Sequence, residues 1–146
     1  LYIFGPHSAS SEPFSPRDLR STGPSPTILV FLSSRESSHV HALARMSVSF
    51  RANFAARMFA ISTGLPEEVE NPFDIPLIYD SRASVTKAAR ALHPLAGGRD
   101  AMAAILILDA FGRRRCFLPI GYGRAVSRPV SLDDLIPTVE DVLRYL

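Results

Sequence analysis

Few residues in this chain are of a type and spacing that do covalent or metal chemistry. Cys116 is the one cysteine, and it follows a run of three cations, Arg113-Arg114-Arg115. Neighbouring guanidinium groups lower a thiol's pKa and make it a nucleophile, whereas an apolar strand makes a lone cysteine a small buried hydrophobe. Its place beside Phe117 favours burial, which is the commoner fate. One cysteine excludes an intrachain disulfide, a CxxC redox pair and a Cys-based zinc cluster. Glu36, His39 and His41 form a second group, and a Glu with two His is a possible zinc set. On a helix, however, positions 39 and 41 point about 200° apart, so Glu36 and His39 alone share a face. Metal binding is therefore not expected: Glu36 favours the positive end of a helix dipole and the histidines are solvated or meet a partner. The arginine run reads first as a solvated turn, and second as a contact for anions or an acidic surface such as phospholipid headgroups. No phosphate-cradling glycine motif accompanies it, Gly97-Gly98 being a plain loop, and no cofactor is implied.

Composition narrows the classes further. A chain of 146 residues, 47% of them hydrophobic, suits one core and one domain. The net charge of +2 falls well short of the basic footprint of a nucleic-acid binder, so nucleic acid is not an expected partner. Lys87 is the one lysine among 16 basic residues, a bias that reads as genomic rather than functional. No apolar run approaches the roughly 20 residues needed to span a bilayer. The chain opens at Leu1 rather than Met, as a processed or truncated product would. Membrane association would then come through a segment before Leu1 or through a partner, and no compartment is indicated.

Two segments of different character divide the chain. Residues 6–26 are dense in Pro and Ser with isolated apolar side chains, and residues 1–26 read as an extended arm, either wrapping a neighbour or lying on its own domain. From Thr27 the pattern is regular. Thr27-Ile28-Leu29-Val30-Phe31-Leu32 is a short β-branched run, as expected of a strand buried on both faces. Val40, Leu43, Met46, Phe50 and Phe54 follow at helical spacing, with Ser37 or Ser38 placed to cap. Met58 to Ser62 is a second buried strand, parallel to the first. Ile75 to Asp80 is a third, entered through Pro76, and Ser84 to Leu92 a short helix. Ala103 to Asp109 and Arg114 to Leu118 form an antiparallel hairpin about Ala110-Phe111-Gly112. A closing helix presents Leu132, Leu135, Ile136, Val139, Val142, Leu143 and Leu146, with Ser131 and Asp134 as a capping box and Pro137 separating or bending its first turn. The sum is an α/β fold, a mixed sheet with helices on both faces.

The four pieces Ile28-Leu29-Val30-Phe31-Leu32, Phe59-Ala60-Ile61-Ser62, Asp74-Ile75-Pro76-Leu77-Ile78-Tyr79-Asp80 and Ile105-Leu106-Ile107-Leu108-Asp109-Ala110-Phe111-Gly112 carry a resemblance. Over residues 27–146 the chain resembles the thioredoxin-like superfamily, in particular the peroxiredoxin-like branch (alkyl hydroperoxide reductase and thiol antioxidant) and the membrane-tethered thioredoxins. The resemblance implies a catalytic thiol just after the first core strand, where a helix N-terminus stabilises thiolate. In the thioredoxin register the two cysteines would fall on Glu36 and His39, so that Glu36-Ser37-Ser38-His39 stands in their place. In the peroxiredoxin register the cysteine would fall near His39 or Val40. A cis-proline or an activating arginine would fall at Ala103. None of these positions carries the family's residue, and a serine stays protonated and forms no disulfide.

The expected function is that of a redox-inactive thioredoxin-like domain that binds protein partners as an accessory or structural subunit of a larger assembly, with the arm as one route to docking. The alternative is a divergent thiol peroxidase or thiol-disulfide oxidoreductase working through Cys116. The vestigial redox positions are Glu36, Ser37, Ser38, His39 and Ala103, with no catalytic, cofactor or metal residue assigned.

Overall fold

The computed structural model describes residues 1–19, 25–33, 38–64, 71–92, 100–120 and 132–146. The apolar runs become strands because β-branched and aromatic side chains fit a pleated, doubly covered surface. In chain order the elements are β1 (Tyr2–Phe4), β2 (Ser11–Pro13), β3 (Thr27–Phe31), α1 (Ser38–Ala44), α2 (Ser47–Phe54), β4 (Arg57–Ser62), β5 (Leu77–Tyr79), α3 (Ser84–Ala88), β6 (Ala104–Leu108), β7 (Arg114–Pro119) and α4 (Leu132–Arg144). The strands form one sheet in the order β2-β1-β5-β4-β3-β6-β7. β3 lies parallel to β4, and β4 to β5. β6 runs antiparallel to both β3 and β7, so the sheet is mixed, as the sequence pattern predicts.

Every residue of β3 is buried, and alternation sends its side chains to two different layers. Ile28 and Val30 join Ile105 and Ile107 of β6 under α1, α2 and α4. Leu29 and Phe31 join Ile61, Ile78, Ala104 and Leu106 on the opposite face, where Ala89 at the end of α3 packs. Among the described residues, one face is covered by three helices and the other by a helix of 5 residues.

The sequence predicts one helix over the stripe from Val40 to Phe54, and the structure divides it. Met46 sits at φ −93°, ψ 0° between α1 and α2, and its amide reaches back three residues to the Leu43 carbonyl. That tighter turn resets the helical phase and lets both Leu43 and Phe50 reach the core. In α4, Pro137 lies inside one continuous helix. Pro137 has no N–H for the i−4 ladder, while the Thr138 hydroxyl donates to the Asp134 carbonyl at 2.6 Å. Ser131, the other half of the predicted capping box, lies outside the described residues.

Over the described residues 1–19, the arm is an antiparallel hairpin on the chain's own sheet. β1 pairs with β2 on one side and with β5 on the other. Phe4 is buried in the core, and the Asn71 side-chain amide donates to the Gly5 and Ile75 carbonyls, joining the hairpin to the loop before β5.

α3 owes its start to a side chain rather than to a local cap. Its N-cap residue, Ala83, is left-handed at φ 53°. The buried Asp80 carboxylate accepts the amides of Ser84 and Thr86 and both their hydroxyls, at 2.8–3.2 Å. Free helical N–H groups are thereby satisfied by a side-chain acceptor, a form of capping.

Candidate functional site

Two ends of the β3–β6 pair hold the residues of interest. At the C-terminal end of β3, Phe31 lies opposite Ala104, which places Ala103 one residue beyond the row. The His39 ring comes down from α1 so that Nε2–H donates to the Phe31 carbonyl at 2.9 Å. A carbonyl only accepts, so Nε2 carries the hydrogen. His39 is 0% exposed, which corrects the expectation that both histidines are solvated or meet a partner. The hydrogen bond explains the burial, because an imidazole with a main-chain partner at a strand end can be withdrawn from water at small net cost. His41 is exposed, with its ring tilted on Phe73 at 4.8 Å between centroids.

Ala103 is also 0% exposed, and its carbonyl accepts the Ile120 amide at 2.8 Å. His39 and Ala103 therefore meet the same end of the same strand. Ser38 is exposed at the first position of α1, whereas Glu36 and Ser37 lie outside the described residues. Among the described residues no three His, Cys, Asp or Glu side chains gather as a metal site.

Cys116 lies on β7 opposite Ile107 and packs, half-buried, against the larger core cluster. Burial pushes its thiol pKa up from the ordinary 9.0, so the neutral thiol predominates near neutrality. The three arginines that precede it are turned to other uses. Arg115 donates to Asp109 at 2.8 Å, Arg114 lies over the Phe117 ring at 4.9 Å, and Arg113 lies over Phe111 at 5.5 Å.

The other end of the pair is open. A cavity of about 640 Å³ lies beside the start of β3 and β4 and the end of β6. Its floor is Leu29, Leu106 and Leu108, and Val85 and Ala89 wall it on the α3 side. Arg57, the first residue of β4, lines it and donates to the Thr27 hydroxyl at 2.9 Å. Burial lowers the Arg57 pKa from its ordinary value, yet a guanidinium remains charged. The β6–β7 turn forms the rim. Asp109 accepts the amides of Phe111 and Arg113 there, and Gly112 adopts φ 76° to close the turn. Burial alone would raise the Asp109 pKa; the two amides and the Arg115 guanidinium outweigh it and hold the carboxyl below its ordinary value. Phe111 at the tip is 81% exposed. In the sequence this stretch reads only as a turn, and the aromatic residue at its tip is the signal that marks it.

No protein-family model matches the chain. Its backbone superimposes on peroxidoxin BcpB of Mycobacterium tuberculosis with a TM-score of 0.70 at 17% identity, over 99% of this chain and 93% of that one. AhpC of Enterococcus faecalis gives 0.69 at 11% identity, over 96% and 84%. The fold is thioredoxin-like, of the peroxiredoxin kind. The thioredoxin-like topology explains why His39 and Ala103 converge, since the end of β3 is where the resemblance put both redox elements. By sequence the chain is similar to Uba3-binding protein but1 of Schizosaccharomyces pombe, with 39% identity over 74 residues. That match takes in 51% of this chain and 28% of the fission-yeast protein. Among the described residues no helix is long and apolar enough to cross a membrane.

Proposed function

We propose that this thioredoxin-like domain is redox-inactive and serves as a protein-binding, accessory part of a larger assembly. The observation that carries the binding role is the 39% identity to a protein named for binding Uba3. Support for the loss of redox chemistry comes from the cysteine count of 1 and from the burial that keeps Cys116 protonated. At the end of β3, the positions Ser38, His39 and Ala103 hold a hydroxyl, a buried imidazole bonded to Phe31 and a methyl group. None of the three supplies a thiolate or receives one. We read Glu36, Ser37, Ser38, His39 and Ala103 as vestigial positions on that basis.

The test is direct binding. Purified chain and purified Schizosaccharomyces pombe Uba3 are mixed and examined by size-exclusion chromatography and calorimetry. Co-elution as a stoichiometric complex with a saturable heat is the expected result. Separate elution with no heat, from a chain that stays a partnerless monomer, would contradict the reading.

A further inference from the structure

The N-terminal hairpin ends in Pro13-Phe14-Ser15-Pro16, a run that neither the core nor the binding role uses. β2 stops at Pro13 and is the outermost strand of the sheet, with all three of its residues exposed, so this edge frays at little cost. Proline has no N–H and holds the residue before it extended. Ser15 is therefore a surface serine on an extended backbone, followed by a residue without an amide hydrogen. It is half-buried, and its hydroxyl oxygen accepts the Arg17 amide at 3.3 Å. Ser15 and Arg82 line one pocket of about 550 Å³. Arg82 is exposed in the turn between β5 and α3. Asp80 lines the same pocket, but its carboxylate is held by Ser84 and Thr86.

We propose that Ser15 is a phosphorylation site for a proline-directed protein kinase, with ATP as the phosphoryl donor, and that Arg82 receives the phosphate. A kinase cleft that offers no acceptor to the amide after the serine selects proline there, and Pro13 keeps the approach extended. The Ser15 Oγ attacks the γ-phosphorus of ATP. The new O–P bond forms as the bond from that phosphorus to the β,γ-bridging oxygen breaks, ADP leaves with the electron pair, and the hydroxyl proton passes to the general base of the kinase. The product carries a charge of about −2 and three strong acceptor oxygens. Across the pocket a guanidinium fork matches them, and the pair ties the end of the hairpin to the start of α3. Ser25 also precedes a proline, but the Pro26 carbonyl accepts the Arg57 amide at the entry to the central strands, and Gly23 rather than proline stands two residues before it. This site is independent of the protein-binding reading, and either can fail without the other.

The intact chain is incubated with a purified mitogen-activated protein kinase, Mg²⁺ and ATP, and the product is mapped by mass spectrometry. A single phosphate on Ser15 is expected. Ser15→Ala should abolish it, Pro16→Ala should slow it by about tenfold or more, and Ser25→Ala should leave it unchanged. Phosphorylation should raise the melting temperature of the parent by about 3 °C and that of Arg82→Ala not at all. No incorporation by a kinase that phosphorylates a control peptide, incorporation at Ser25 in place of Ser15, or a rate indifferent to Pro16→Ala would overturn the site. No rise in the parent, or an equal rise in Arg82→Ala, would overturn the role of Arg82.

Discussion

The two ends of the β3–β6 pair share one hydrogen-bonded ladder and end in opposite ways. Around Phe31, Ala103 and Ala104 are small, and the His39 imidazole occupies the strand end and bonds its last carbonyl. Around Thr27 and Leu108 the chain instead leaves a cavity over leucines, rimmed by arginines and an exposed phenylalanine. The first end is where the thioredoxin-like fold would assemble a redox site, and here it is packed. The second lies away from those positions and leaves an open cavity instead. Architecture constrains which side chains converge at a strand end; it does not dictate that they react.

The strongest test of this asymmetry compares two neighbours in β6. Ile105 faces the three-helix layer and is fully buried, whereas Leu106 faces the cavity. Ile105→Ala should cost about 4 kcal/mol in urea unfolding and Leu106→Ala only about 2 kcal/mol, since the second side already has unfilled space. Equal losses would mean that the cavity is filled by packing in solution. His39→Ala should cost about 3 kcal/mol, from lost volume and from a strand-end carbonyl left without its donor. A negligible loss would show that the imidazole is not packed as described.

Asp109 gives the open end a pH signature. Its folded pKa is lowered from 3.8, so the stability it supplies is complete above that ordinary value and is lost as pH falls through the lower folded one. Acid titration of the melting temperature should therefore be steeper for the parent than for Asp109→Asn, and coincident curves would exclude a role for the carboxylate in fixing the turn. The smallest effect is expected at Cys116. Cys116→Ser should shift stability by about 0.5 kcal/mol, and reaction of the parent with a thiol reagent should be slow near neutrality and quicken only above pH 9.0. Rapid modification at pH 7 would restore the thiol as a candidate nucleophile.

Much of the fold is legible because its central strands are unbroken apolar runs. β3, β4 and β6 are short apolar runs, and their length, β-branched content and flanking turn residues identify them as strands covered on both faces. The hairpin of β1 and β2 is not legible, since β1 is only three residues long and β2 is an exposed Ser-Glu-Pro; they form because β5 offers an edge. The break at Met46 escapes for a related reason. The stripe from Val40 to Phe54 fits a helix, and only the need to bury both Leu43 and Phe50 against one sheet resets its phase. The position of His39 is legible in the sequence but its burial is not, because its partner is the main-chain carbonyl of Phe31, eight residues away. The cavity was invisible, since Arg57, Val85 and Leu106 come together only through the sheet order.

The central claim is that a peroxiredoxin-like fold is used here without sulfur chemistry, and peroxide turnover tests it most directly. Hydrogen peroxide consumption is followed with dithiothreitol as reductant, for the parent chain and for Cys116→Ser. The account predicts the protein-free rate for both. Catalytic consumption by the parent that Cys116→Ser abolishes would contradict it.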